Sequence, residues 1–290
     1  MRLVVTGRNG QVATALLGLA SEDVEVIALA RPDLDLERPE TIEPALRAAR
    51  PDVVVSAAAY TAVDAAETDA ERAALINAHA PGVLAEVAAR LGAPIVHLST
   101  DYVFDGAKLS PYVESDPTGP RTVYGATKLD GERAVAAANP RHAVLRTAWV
   151  YAAHGKNFVR TMLRLAETRD ELNVVGDQLG NPTYAPDIAA GVLAVARTLQ
   201  RGEGESGVYH MSGAGEASWA QFATAIFEGA RRRGAPSAAV HTIGSKDYPT
   251  PAERPKNSRM DCTRLREAFG VALPPWRTSL ERCLDALHAE

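Results

Sequence analysis

The 290-residue chain predicts an α/β protein, a doubly wound parallel sheet carrying a smaller C-terminal α/β lobe. Three observations predict it. Short β-branched runs alternate with Ala-rich helical stretches through the first half, a glycine-bearing turn joins the first run to the first helix, and the alternation loosens after about residue 150.

The strand candidates are Leu3 to Val5, Val24 to Leu29, Val53 to Val55, Ile95 to Leu98 and the short pair Val144-Leu145. Each is apolar throughout or nearly so, as strands buried on both faces are. The turn-like Arg50-Pro51-Asp52 and Gly92-Ala93-Pro94 set off the third and fourth. Helical candidates fill the gaps at Gln11 to Ala20, Pro39 to Ala49, Asp69 to Arg90 and Thr122 to Ala138. Later come helices at Phe158 to Glu167, Pro186 to Leu199 and Trp219 to Arg232, a strand at Val208 to Met211, and a tail rich in Pro and Arg. This divides the chain into a dinucleotide-binding domain, 1–150 with roughly 183–200, and a substrate lobe of 151–182 and 201–290.

Bulk properties exclude several classes. Hydrophobic residues make up 46%, charged residues 23%, and the formal net charge is −5 without a long basic run, so nucleic acid is not an expected partner. No window reaches the roughly 18 apolar residues that cross a bilayer. Met1-Arg2-Leu3-Val4-Val5-Thr6 reads as a strand and not as a signal peptide. The two cysteines, Cys262 and Cys283, form neither a CxxC pair nor a metal-ligand cluster, which fits a reducing cytoplasm.

Thr6-Gly7-Arg8-Asn9-Gly10-Gln11-Val12-Ala13 follows the first strand and opens the first helix. Gly7 permits the tight turn, Gly10 lets backbone approach a pyrophosphate, and exposed N–H groups at the helix start favour its charge. Gly7, Asn9, Gly10, Gln11 and Val12 are therefore the cofactor-binding candidates of a Rossmann-type domain. An acid closing the second strand would accept from a ribose 2′-hydroxyl, but this chain has Ala30-Arg31. Arg31, with Arg8, suits a 2′-phosphate, so NADPH is favoured, with NADH the alternative. Asp35 and Leu36 are expected near the adenine, and Ala58, Ala59 and Thr61 near the ribose.

Tyr124 and Lys128 lie at i and i+4 on one helix face. Taken alone, that spacing describes many solvated helix faces. The surroundings add Thr100 at the carboxyl end of the fourth strand, where α/β sheets bind ligands. A free tyrosine, with a pKa of about 10, is a poor acid near neutrality. A neighbouring ammonium is expected to lower it, with Tyr124 giving a proton to a carbonyl oxygen, Lys128 also bonding the nicotinamide ribose, and Thr100 a second donor to that oxygen. Asp101 is expected to orient its neighbours.

These residues together resemble the extended short-chain dehydrogenase/reductase superfamily, and within it the dTDP-4-dehydrorhamnose reductases. The resemblance spans nearly the whole chain. It rests on Gly7-Arg8-Asn9-Gly10-Gln11-Val12, Ala57-Ala58-Ala59-Tyr60-Thr61-Ala62-Val63-Asp64, Ser99-Thr100-Asp101-Tyr102-Val103-Phe104 and Val123-Tyr124-Gly125-Ala126-Thr127-Lys128. It continues in Arg146-Thr147-Ala148-Trp149-Val150-Tyr151, Asn157-Phe158, Asp177-Gln178-Leu179-Gly180-Asn181-Pro182-Thr183 and Arg254-Pro255-Lys256-Asn257-Ser258. It implies reduction of the C4 ketone of dTDP-4-dehydro-β-L-rhamnose, with Thr100, Tyr124 and Lys128 as catalytic residues. Thr100, Asp101, Tyr102, Trp149 and Asn157 would contact the dTDP-linked 4-keto-6-deoxysugar, and Arg254 its diphosphate. Some relatives bridge a dimer through Mg²⁺ held by glutamates. The corresponding residues here are Ala15 and Pro186, which have no side-chain oxygen to offer, so no Mg²⁺ and a monomer are expected. The competing readings are a nucleotide-sugar epimerase or dehydratase that recycles bound NAD⁺, another 4-ketoreductase, and a non-catalytic NADP-binding regulatory subunit.

Overall fold

The computed structural model describes residues 1–288. Its main sheet has six strands, all parallel: β1 (Arg2–Thr6), β2 (Glu25–Leu29), β3 (Val53–Ser56), β4 (Ile95–Thr100), β5 (His142–Thr147) and β10 (Gly207–His210), in the order β2-β1-β3-β4-β5-β10. Strand order reverses between β1 and β3, which opens a crevice at their carboxyl ends.

Successive side chains alternate faces, and that alternation sorts the core into two layers. Leu3, Val5, Val53, Val55, Val96 and Leu98 pack against α1 (Gln11–Leu17) and α8 (Ala185–Gln200). Val4, Val54, Ile95 and Val144 pack on the other side against α2 (Ile42–Ala49) and α5 (Ala80–Arg90). Continuous Val and Ile runs are therefore needed, because no face of these strands meets water.

The expected elements recur with shifts that have local causes. The first helix stops at Leu17, capped by Gly18, rather than at Ala20. The stretch expected as one helix from Asp69 to Arg90 is three pieces: α4 (Ala70–Ala74), a π-helical turn at Leu75–His79, and α5. A short helix, α3 (Val63–Ala66), precedes them. Thr122 caps α6 (Val123–Ala138) instead of belonging to it, its hydroxyl accepting from Gly125 N at 3.0 Å.

A third cluster centres on the second lobe, where Tyr151, Val159, Phe222, Ile226, Trp276 and Leu284 come together. It joins α7 (Phe158–Ala166), α9 (Trp219–Arg232) and α11 (Trp276–His288) with the paired parallel strands β7 (Glu171–Val175) and β12 (Ala239–Ile243). Short strands complete it: β6 (Val150–Tyr151) on β9 (Thr183–Tyr184), and β8 (Leu179–Gly180) on β11 (Ala217–Ser218). The stretch 201–290 does not belong wholly to this lobe. Its β10 is the outer strand of the main sheet, and Leu265 of α10 (Thr263–Phe269) lies in the first core layer. The exposed edge of β5 accounts for this, since a parallel partner satisfies its backbone.

Candidate active site

The carboxyl ends of β1, β3, β4 and β5 form one rim. At the crevice between β1 and β3, the Thr6 hydroxyl accepts from Ala57 N and Ala58 N at 3.0 and 3.1 Å. Gly7 has φ +88°, and an added Cβ would stand 3.2 Å from the Ala58 methyl. Glycine is thus required for both conformation and space. Gly10 has nothing within 4 Å of its would-be Cβ, and α1 has no side-chain cap. Arg8, Asn9 and Gly10 are exposed, and Gln11 and Val12 follow in the helix. Arg31 is exposed, with Glu37 Oε1 3.9 Å from its guanidinium. Leu36 is buried in the core layer under α2, and Asp35 caps its own turn by accepting from Glu37 N at 3.0 Å. Ala59 is half-buried and Thr61 exposed beyond β3.

Thr100 ends β4 and is buried. Its hydroxyl donates to Asp101 Oδ1 at 2.9 Å and accepts from Tyr102 N at 3.2 Å. Tyr124 lies in the first turn of α6, with its hydroxyl against that of Thr100 and its ring edge-on to Tyr102 at 5.5 Å. A Cβ at Gly125 would overlap the Tyr102 carbonyl oxygen, and one at Gly131 the Asn77 carbonyl oxygen. These two glycines let α6 sit close enough to β4 and the π turn for its side chains to reach the rim.

Lys128 is 2% exposed, and its Nζ donates to Leu98 O at 2.6 Å and contacts His97 Nε2 at 3.3 Å. Burial lowers its pKa to about 8, with Glu132 opposing. Burial pushes the Tyr124 hydroxyl in the other direction, above its ordinary value, only partly offset by Thr100. The expected lowering of Tyr124 by Lys128 is therefore not what this arrangement produces. Desolvation dominates, and the lysine points at Leu98 O and His97. The consequence is a tyrosine held as a phenol, the protonation state that an acid needs. Asp101 is buried, which raises its pKa to about 6, with hydrogen bonds from Ser258 and Thr100 opposing.

Asn77, Glu132 and His97 also support the centre. Asn77, fully buried in the π turn, accepts from Tyr60 N at 2.8 Å and donates to Tyr60 O and to Thr127 Oγ1. Such bulges recur at functional sites. Glu132 takes a two-pronged ion pair from Arg146 at 2.9 and 2.7 Å, plus the Ser99 hydroxyl at 2.5 Å. His97 lies under Lys128. Asn77 and His97 are polar residues inside apolar runs, which is the one signal the sequence carries for them, whereas Glu132 stands among Asp130, Gly131 and Arg133 and is not marked in this way.

Three substrate candidates are engaged differently than expected. Trp149, at φ +50°, stacks on Trp219 at 3.5 Å and lies over Gly180, so one face of the indole is already covered. Asn157 caps α7, accepting from Arg160 N at 3.1 Å, and donates to Gln11 Oε1, Ala152 O and His154 O, so its amide ties the lobe to the first helix. Arg254 is held by Asp64 at 2.6 Å, and its other nitrogen approaches the Tyr102 hydroxyl at 3.5 Å. It lines a cleft of about 420 Å³ together with Tyr102, Arg121, Gln178, Tyr248 and Lys256.

A glycine turn at the switch point and a Thr-Tyr-Lys centre on its rim define an extended short-chain dehydrogenase/reductase. The family model described as RmlD substrate binding domain matches residues 1–289. A Sinorhizobium fredii protein named dTDP-4-dehydrorhamnose reductase is 52% identical, spanning 100% of this chain and 99% of its own. A Streptomyces antibioticus protein named as a probable dTDP-4,6-dihydroxy-2-methyloxan-3-one 4-ketoreductase is 42% identical, spanning 100% of this chain and 97% of its own. The crystal structure of dTDP-4-dehydrorhamnose reductase from Bacillus anthracis in complex with NADP aligns with a TM-score of 0.91 at 33% identity, covering 98% of this chain and 99% of that one. The chain belongs to the RmlD family, that of the dTDP-4-dehydrorhamnose reductases.

Proposed function

We propose that this chain reduces the C4 ketone of dTDP-4-dehydro-β-L-rhamnose to the alcohol, with NADPH as the source of hydride. The observation that carries the reading is the half-buried Tyr124 phenol beside the Thr100 hydroxyl at the carboxyl rim of the sheet.

The residues at the switch point fit a dinucleotide. Gly7 and the open space at Gly10 leave room for a pyrophosphate, and uncapped N–H groups of α1 face its charge. Arg8 and Arg31 are exposed cations suited to a 2′-phosphate, and the NADP bound by the Bacillus anthracis relative supports that choice over NADH.

Tyr124 gives its proton to the ketone oxygen as C4 is reduced. Thr100 donates to the same oxygen, turning its hydroxyl away from Asp101. The tyrosinate left behind is stabilised by the positive charge of Lys128, which would also hold the nicotinamide ribose of a bound cofactor. Arg121, Arg254 and Lys256 along the adjoining cleft supply positive charge for the dTDP diphosphate. Asp101 and Tyr102 sit where the sugar enters, and Trp149 contributes the part of its ring that Trp219 leaves open.

We read the enzyme as a cytoplasmic monomer without a metal requirement. Free Cys262 and Cys283 suit a reducing compartment, and Ala15 and Pro186 lack side-chain oxygens. The Streptomyces antibioticus relative favours one second reading, a 4-ketoreductase of a different dTDP-sugar. Oxidation of NADPH on adding dTDP-4-dehydro-β-L-rhamnose, with NMR of the product at C4, tests both. Turnover to dTDP-β-L-rhamnose supports the first. An absence of NADPH oxidation removes it, NADPH oxidation with another dTDP-linked 4-keto-6-deoxysugar alone supports the second, and none with either removes both.

A further inference from the structure

His97 is not used by the chemistry above, yet it lies within hydrogen-bonding range of its lysine. The ring is fully buried in the middle of β4, between Ser56 at the end of β3 and Lys128 on α6. Its Nδ1 is 3.0 Å from Ser56 Oγ, and its Nε2 is 3.3 Å from Lys128 Nζ. Ser56 is 1% exposed and Lys128 2%, so these atoms lie away from bulk solvent.

The chemistry of the three groups orders the protons. An ammonium has three donors and no acceptor. Nε2 facing it must therefore present a lone pair, which puts the imidazole proton on Nδ1, where Ser56 Oγ accepts it. A second positive charge beside the ammonium is disfavoured in a dry interior, and burial together with Lys128 holds His97 well below its ordinary pKa. The other charged groups on this face are Glu132 of α6 and Arg146 of β5, which neutralise one another at 2.7 Å.

We propose that His97 is a positioning residue for catalysis, the Ser56–His97 pair presenting a fixed lone pair that, with Leu98 O, locks Lys128 Nζ in place and leaves its third N–H for the reacting centre. Lysine has a four-carbon stem with wide rotamer freedom, and two fixed acceptors remove that freedom before substrate arrives. The inference rests on Lys128 belonging to the reductase centre.

Two measurements test it. In enzyme labelled with ¹⁵N-histidine, the His97 signals are the ones lost in His97→Gln. At pH 6.5 they should report a neutral ring protonated at Nδ1, with no titration down to pH 5. A protonated ring, or a proton on Nε2, overturns the proposal without reference to activity. The second is the pH profile of kcat. Ser56→Ala removes one hydroxyl and frees the tautomer, so the alkaline limb should move to lower pH by about half a pH unit, with kcat falling severalfold. His97→Leu should lower kcat by about tenfold or more, and His97→Gln, which keeps an acceptor oxygen, should recover part of it. Should His97→Leu fail to fold, the Ser56→Ala profile and the ring signals still decide. A role in packing alone lowers Tm but leaves the limb unmoved, and an unmoved limb in Ser56→Ala contradicts the proposal. Wild-type enzyme inert toward any 4-ketosugar removes the reductase reading instead, while the ring signals still report on His97.

Discussion

Lys128, on the floor of the catalytic centre, is 2% exposed and gives its hydrogens to a backbone carbonyl and a histidine. Arg121, at the lip of the adjoining cleft, is exposed and has no carboxylate within ion-pair distance among the described residues. Between them lie the two ways this molecule uses charge. In the centre, each group is held by others of the chain: Thr100 by Asp101 and Tyr102 N, Glu132 by Arg146 and Ser99, Asn77 by Tyr60. In the cleft, among the described residues, Arg254 has a single anchoring carboxylate and Arg121 has none within ion-pair distance, so cationic donors stay available to a ligand. Geometry needed for proton transfer is built during folding, whereas recognition is completed by the substrate's own anion.

Substitutions should separate the two regions by which parameter they change. Tyr124→Phe removes the acid, and steady-state assays should show kcat lowered about 10²–10⁴-fold with NADPH binding retained in fluorescence titrations. Equal loss in cofactor binding would mean that Tyr124 holds the nucleotide and is not the acid. Glu132→Gln leaves Arg146 buried without its counter-ion and should cost about 3–5 kcal/mol in urea unfolding. A loss below about 1 kcal/mol would show the pair behaving as a surface one, and the interior would be less organised than described.

A pH profile sharpens the same comparison. Burial sets Lys128 near 8, below its ordinary 10.5, and the ammonium is the form present below that value. Log kcat should therefore be flat near neutrality and fall as pH rises through about 8. Lys128 is not among the residues lining the cleft, so KM for the sugar nucleotide should not follow that limb. Arg121→Ala should raise this KM by roughly tenfold at unchanged kcat, the loss of one charge-assisted contact. Smallest is Arg31→Ala, which should reduce the preference for NADPH over NADH severalfold in kcat/KM, because an exposed cation acts through water. An unchanged preference would leave Arg31 a surface residue.

The sequence made the catalytic trio legible because its members are marked locally. Thr100 ends an apolar strand, and Tyr124 and Lys128 share a helix face by spacing alone. Helix α9 was legible to its ends, since Ser218 and Gln221 form a capping box. Contacts across long stretches were not. Arg254 meets Asp64 and Lys128 meets His97 only because the topology brings separate segments to one rim. Trp149 was expected only as a contact to the sugar, and the fold alone brings Trp219, in another element, against its ring. The π turn at Leu75–His79 was hidden for a related reason, because only Asn77, a buried polar residue in a helical run, betrays it. Helix α11 did carry a signal, with Trp276, Leu280, Cys283, Leu284 and Leu287 at helical spacing amid the Arg-rich tail.

The central claim is that hydride reaches C4 of the sugar while Tyr124 supplies the proton. Turnover of dTDP-4-dehydro-β-L-rhamnose with NADPH deuterated at the transferred position tests it most directly, read by NMR of the product. The account predicts deuterium on C4, one equivalent per NADPH oxidised, with oxidised cofactor released. Protium at C4, or cofactor returned to its starting redox state as an epimerase or dehydratase would leave it, would contradict it.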